Sequence, residues 1–185
     1  MAMHKDLGRL FAVWTMGGGD AGIADFLAGR KIMVNAGPNT VAIDRTIAPT
    51  YPGFVKSLKF PQFKDTGSPH VDLTAVIPFF HQKQKKGGTI AGRDMCDFLE
   101  DTGLIEHCLD LRFGEELVKT FASTPHLWSR VWTSRAIFLW KSVVLDWDGN
   151  LRVPYVIADD DYLQIHWRRL DYDLDGRDPA GLSVG

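Results

Sequence analysis

Cysteine is scarce in this chain: only Cys96 and Cys108 occur among 185 residues. They lack the C-x-x-C spacing of a redox or zinc site, and both fall in apolar, helix-like stretches. Buried free thiols of a reducing compartment are therefore expected. Long apolar runs are also missing. None approaches the ~20 residues of a membrane-spanning helix, and Leu10–Met16, behind Lys5 and Arg9, is short and followed by no cleavage signal. A cytoplasmic location and no membrane partner are the expectation. The histidines His4, His70, His81, His107, His126 and His166 form no H-E-x-x-H and no close Cys/His pair, and Ser142 stands in no G-x-S-x-G elbow. Zinc-peptidase and serine-hydrolase signatures are thus absent, as are internal repeats and low-complexity segments.

What is present suits one globular domain with room for a real core: 45% apolar and 24% charged residues. Six Trp and eleven Phe imply an aromatic-rich core or interface. The formal charge of −2 hides an asymmetry. Residues 1–92 carry 11 basic and 6 acidic side chains, residues 93–185 carry 10 and 17. Either the two halves pair with each other or the basic end meets a polyanion.

Periodicity gives the coarse plan. In the N-terminal segment, 1–48, Met3–Met16 fits a helix with Leu7, Leu10, Phe11 and Trp14 on one face, or, from Leu10 onward, a buried strand. Residues 49–70, punctuated by proline, read as an extended loop. In the helical part, 71–124, Leu73, Val76, Ile77 and Phe80 stripe a helix over Asp72–Gln84, with Pro78 as a blemish. A second helix spans about Ala91–Asp101 and ends at Gly103, and Leu104–Leu109 and Gly114–Ala122 make two more. The period then changes. Ile137–Leu145, Leu151–Ile157 and Tyr162–Trp167 read as a three-stranded meander within 136–168, its first turn at Asp148-Gly149. Pro154 should make the middle strand bulge or lose a partner there. The expected architecture is a single α+β domain, its helical N-terminal two-thirds packed on a C-terminal three-stranded antiparallel meander.

Four motifs carry candidate chemistry. Gly17, Gly19 and Gly22 fit G-x-G-x-x-G, and Asp44 ends the following apolar run where a dinucleotide fold holds a ribose hydroxyl. The reach from Gly17 to Asp44 exceeds the usual ~20 residues, and no strand–helix alternation follows residue 50. Lys83, Lys85 and Lys86 precede Gly87-Gly88-Thr89 and a helix with Arg93 in its first turn, an arrangement suited to an anion or a nucleic-acid phosphate. Asp171, Asp173 and Asp175 open like a calcium loop, but Leu182 stands where the bidentate Glu belongs. Lys141, on an expected strand near Asp146 and Asp148, has the residue types of a metal-dependent nuclease core without its acid-x-Lys spacing. Finally, Trp147 beside the hairpin turn should be exposed, and an exposed Trp serves as a binding anchor. The favoured expectation is a non-catalytic recognition module for a protein or nucleic acid, with no cofactor. A dinucleotide-binding enzyme and a metal-dependent nuclease are the alternatives.

Overall fold

A computed structural model describes residues 39–64, 66–121, 136–159 and 162–183. The chain divides into two compact units, Met1–Thr40 and Val41–Gly185, and the second holds nearly all the described residues. Its strands are β1 (Thr40–Ala42), β2 (Val55–Leu58), β3 (His70–Asp72), β4 (Val76–Phe79), β5 (Ile90–Ala91), β6 (Ala136–Phe138), β7 (Val144–Asp146), β8 (Leu151–Asp159), β9 (Tyr162–Arg169), β10 (Asp173–Leu174) and β11 (Ala180–Ser183). The described α-helices are α1 (Gly92–Asp101) and α2 (Leu111–Phe121).

The organising element is β8. One of its edges pairs with β9 over the whole length, from Arg152↔Arg169 to Asp159↔Tyr162. Its other edge takes β7 and then β6 end to end, at Val144↔Arg152 and Phe138↔Tyr155. Pro154, which has no N–H to donate, falls where that edge passes from one neighbour to the next, and its carbonyl accepts the Leu139 N–H at 2.9 Å. From β7 the sheet continues to β2, and from β6 through β11 to β4, seven strands in all. The β6–β11 pairing is parallel, the others antiparallel, so the curled sheet is mixed. Two small sheets, β1–β3 and β5–β10, flank it.

Alternation along β6 sets up two cores. Ala136 and Phe138, with Trp140 beyond them, join Val153 and the α1 residues Met95, Cys96 and Leu99. Ile137 and Leu139 point the other way, to Val156, Leu163 and the α2 residues Phe113, Leu117 and Phe121. With both faces covered, β6 is wholly buried. Both cysteines are buried and form no disulfide. No helix among the described residues is long and apolar enough to cross a membrane.

This architecture corrects the expected helical N-terminal two-thirds. Strands dominate, and the segment read as one helix over Asp72–Gln84 is β3, a 3-10 turn, β4 and a second 3-10 turn over Gln82–Gly87. Val76 and Ile77 are β-branched, Pro78 removes a helical hydrogen bond, and β4 pairs with β11 at the edge of the sheet, where a missing N–H is tolerated. The proline-rich stretch likewise contributes β2. The meander exists as β7–β8–β9 but is only part of the sheet, and Ile137–Leu145 is broken by a 3-10 turn at Trp140–Ser142. The hairpin loop also has three residues, Trp147–Gly149, and not two. Gly149 N–H bonds the Asp146 carbonyl and Gly149 has φ 82°, a turn followed by a left-handed residue.

Candidate functional site

One carboxylate organises the tip of this hairpin. Asp146 is 1% exposed; its Oδ1 accepts the Asp148 and Asn150 N–H groups at 3.0 and 2.8 Å, and Arg152 Nε donates to Oδ2 at 2.7 Å. The Arg152 bond, against the opposing effect of burial, holds the carboxyl below its ordinary pKa. Because Asp146 turns inward, the loop projects Trp147 outward, 66% exposed. Its indole N–H donates to the Gly53 carbonyl at 3.3 Å, and Lys56 Nζ lies 6.0 Å from the ring centroid. Trp147 N–H also bonds the Phe54 carbonyl.

From Phe54 an aromatic and cationic surface extends onto the sheet. Its ring meets Trp167 edge-on at 5.6 Å, and the Arg152 guanidinium lies 5.0 Å from its centroid. The β8–β9 register sets Arg152 directly opposite Arg169, a like-charge pair that is unfavourable unless compensated. Carboxylates compensate it: Asp146 holds Arg152, Asp171 holds Arg169 at 2.5 Å, and Asp178 lies 3.8 Å from Arg168. These three arginines, with Tyr155, Trp167 and Tyr172, line a concavity of about 440 Å³. Tyr172 at its rim is 58% exposed. The surface offers flat π faces and oriented guanidinium groups, with no carboxylate, histidine, serine or cysteine among its lining residues.

The basic loop lies elsewhere. Lys83 Nζ is 3.6 Å from Asp94, beside a depression of about 360 Å³ lined by Asp94, Asp97 and Asp101 together with His81 and Phe98. Lys85, Lys86 and Arg93 are exposed. At the start of α1 the Gly92 and Arg93 N–H groups are already engaged by the Tyr172 and Leu170 carbonyls at 3.0 and 2.9 Å. Gln84 locks the loop in place, its Nε2 donating to the Asp175 and Asp178 carbonyls.

Gly17, Gly19 and Gly22 lie outside the described residues. Asp44 follows β1, exposed, and its carboxylate accepts both the hydroxyl and the N–H of Thr46, which lower its pKa. Asp171 and Asp175 engage Arg169 and Arg177, and Asp173, in β10, faces the Thr89 hydroxyl at 3.3 Å. Among the described residues no group of three or more His, Cys, Asp or Glu is placed to hold a metal ion. Lys141 is on the 3-10 turn and not on a strand. Of the sequence candidates, Trp147 borders the aromatic–arginine surface, and Asp146 and Asp171 hold two of its arginines. Arg152, Trp167 and Arg169 carry a local signal in strand alternation, but their meeting depends on the β8–β9 register, and Tyr172 comes from the turn between β9 and β10.

Comparison of the chain with protein-family models, with curated proteins and with solved structures finds no match.

Proposed function

We propose that this protein is a non-catalytic recognition module that holds a protein partner against the surface formed by Trp147, Arg152, Trp167 and Tyr172. The supporting observation is an indole 66% exposed yet fixed by its own hydrogen bond and by Lys56. A rigid, exposed aromatic loses little entropy on docking. Trp, Tyr and Arg are also the residue types that dominate protein interfaces. A nucleic-acid partner is less favoured because each arginine of the surface already has a carboxylate, which cancels the long-range field that gathers a polyanion.

The test is photocrosslinking from a benzoylphenylalanine placed at position 147, performed in source cells, beside capture by wild type, Trp147→Ala and Tyr172→Ala. One crosslinked protein, retained by wild type and reduced at least about tenfold by either alanine, is the expected result. Crosslinking to nucleic acid, or capture that the folded alanine variants leave unchanged, overturns the proposal.

A further inference from the structure

Among the described residues, β2, β4 and β9 each pair with a single neighbour and so form the edges of the seven-stranded sheet. An open edge is a template for another strand, and proteins blunt it with short strands, Pro, Lys or a bulge. β2 is four residues long, carries Lys56 and shifts register between Val55 and Ser57. β4 is equally short and carries Pro78. β9 has none of these features. It runs eight residues without Pro, Gly or Lys and keeps unbroken register with β8.

Two backbone bonds fix which groups of β9 point outward. Leu170 N–H, one residue past the strand, donates to the Leu151 carbonyl at 2.9 Å. The Pro154 carbonyl, opposite Trp167, instead turns away from β9 to the Leu139 N–H. Bonded and unbonded pairs alternate in an antiparallel ladder, so Leu163, Ile165, Trp167 and Arg169 direct their N–H and C=O groups away from β8. The Arg169 carbonyl already accepts the Tyr172 N–H at 3.4 Å. At Leu163, Ile165 and Trp167 no backbone bond reaches the outward groups among the described residues. Ile165 is the midpoint of that free stretch.

We infer that β9 pairs antiparallel with β9 of a second copy of this chain, about a two-fold axis at Ile165. Ile165 then bonds the partner's Ile165, and Leu163 bonds the partner's Trp167. Charge selects this occupant and this direction. β9 carries no formal charge from Tyr162 to Trp167 at pH 7, follows Asp159-Asp160-Asp161 in the sequence and ends at Arg168-Arg169. A parallel copy sets like charges side by side, whereas an antiparallel copy brings each acidic end to the other's arginines. An edge with opposite charges at its two ends is complementary to itself, as an isologous interface requires. Trp167 contributes only its backbone, so the pairing goes beyond the side-chain surface around Trp147. It also leaves the large sheet with its blunted edges alone, β2 and β4.

Sedimentation equilibrium of the full chain should show a monomer–dimer equilibrium. Ile165→Val keeps the N–H and should leave it unchanged. Ile165→Pro has no β8 bond to lose there, but across a two-fold it removes two interface donors and should weaken the dimer at least about tenfold. A monomer at every concentration, or a dimer that Ile165→Pro leaves unchanged, overturns the proposal. A second test does not depend on the proline variant. Gln164 and His166 are exposed, and the pairing sets Gln164 opposite the partner's His166 as a close, unbonded pair. Gln164→Cys and His166→Cys proteins, mixed under mild oxidation, should give a disulfide-linked dimer. Either protein alone should not, because its two cysteines stand two residues out of register, beyond the ~7 Å a disulfide spans. No crosslink in the mixture, or equal crosslinking of one protein alone, overturns the two-fold at Ile165. The native cysteines are buried and do not compete.

Discussion

Asp146 shows how much one side chain does in this fold. It bonds two turn N–H groups and an arginine, and replacing it with Asn removes the carboxylate charge from the ion pair with Arg152, leaving the guanidinium on a neutral acceptor. The pH dependence has a definite sign. The folded-state pKa lies below the ordinary 3.8, so near that pH the unfolded chain binds more protons than the folded one. The contribution is present above pH 3.8 and is lost as pH falls through the lower folded value. Thermal melts of Asp146→Asn should therefore show a lower midpoint than wild type at pH 6 and a difference that narrows below pH 3.8; a constant difference would remove Asp146 from the acid response. Arg112 is the second such residue. Almost fully buried, it bonds the Asp44 carbonyl at 3.1 Å, Glu115 at 2.9 Å and Glu116. Arg112→Met leaves two partly buried carboxylates without it, and chemical denaturation should report a loss of about 3 kcal/mol.

At the scale of elements, the hairpin that presents Trp147 depends on Gly149. Its φ of 82° disfavours L side chains, and nothing lies within 4 Å of a Cβ built there. Any substitution effect is consequently one of backbone strain, not of packing. Gly149→Val should lose about 1–3 kcal/mol, whereas Gly149→Asn, which tolerates left-handed backbone, should lose much less. Equal losses in denaturant titration would show that the turn does not control the hairpin. The two elements most legible in the sequence are those whose signals are local. The spacing of Met95, Phe98 and Leu99 and the expected left-handed Gly103 mark α1, and Gly103 has φ 72°. Alternation in Leu151, Val153, Tyr155 and Ile157 marks β8, and the first three pack with the α1 cluster while Ile157 is not part of it. The helix expected over Asp72–Gln84 fails because a stripe of Leu73, Val76 and Ile77 also suits short strands and turns, and the deciding partner, β11, is remote in sequence. Ile77, placed in the expected core stripe, is 50% exposed. The candidate surface was hidden for the same reason. Phe54 comes from a proline-rich stretch, and Arg152 meets Arg169 only once β8 and β9 are in register.

At the scale of the whole unit, β11 joins β4 and β6, which have no other ladder between them among the described residues. Ala180 pairs with Phe79 of β4 on one side and Phe138 of β6 on the other, so β4 belongs to the large sheet through β11. The strand also reaches both cores. Ala180 and Leu182 pack with the α1 cluster, while a Cβ at Gly181 would stand 2.5 Å from Ile137 Cγ2 and 2.7 Å from Leu109 Cδ1 of the α2 cluster. The Gly181 carbonyl accepts the Leu109 N–H at 2.9 Å, just ahead of α2. Ala-Gly-Leu-Ser has little strand propensity of its own, so these long-range contacts hold it in place and its loss should be felt on both faces. A chain ended after Pro179 exposes the facing edges of β4 and β6 together with apolar surface from each core. The expected outcome is loss of the near-UV circular dichroism signal and of a sharp thermal transition, with increased binding of an apolar dye and much of the far-UV signal retained. A shortened chain that still melts cooperatively within a few degrees of wild type, about what 1 kcal/mol would shift in a protein of this size, would show that β4 is held by its own packing and that the two cores do not depend on β11.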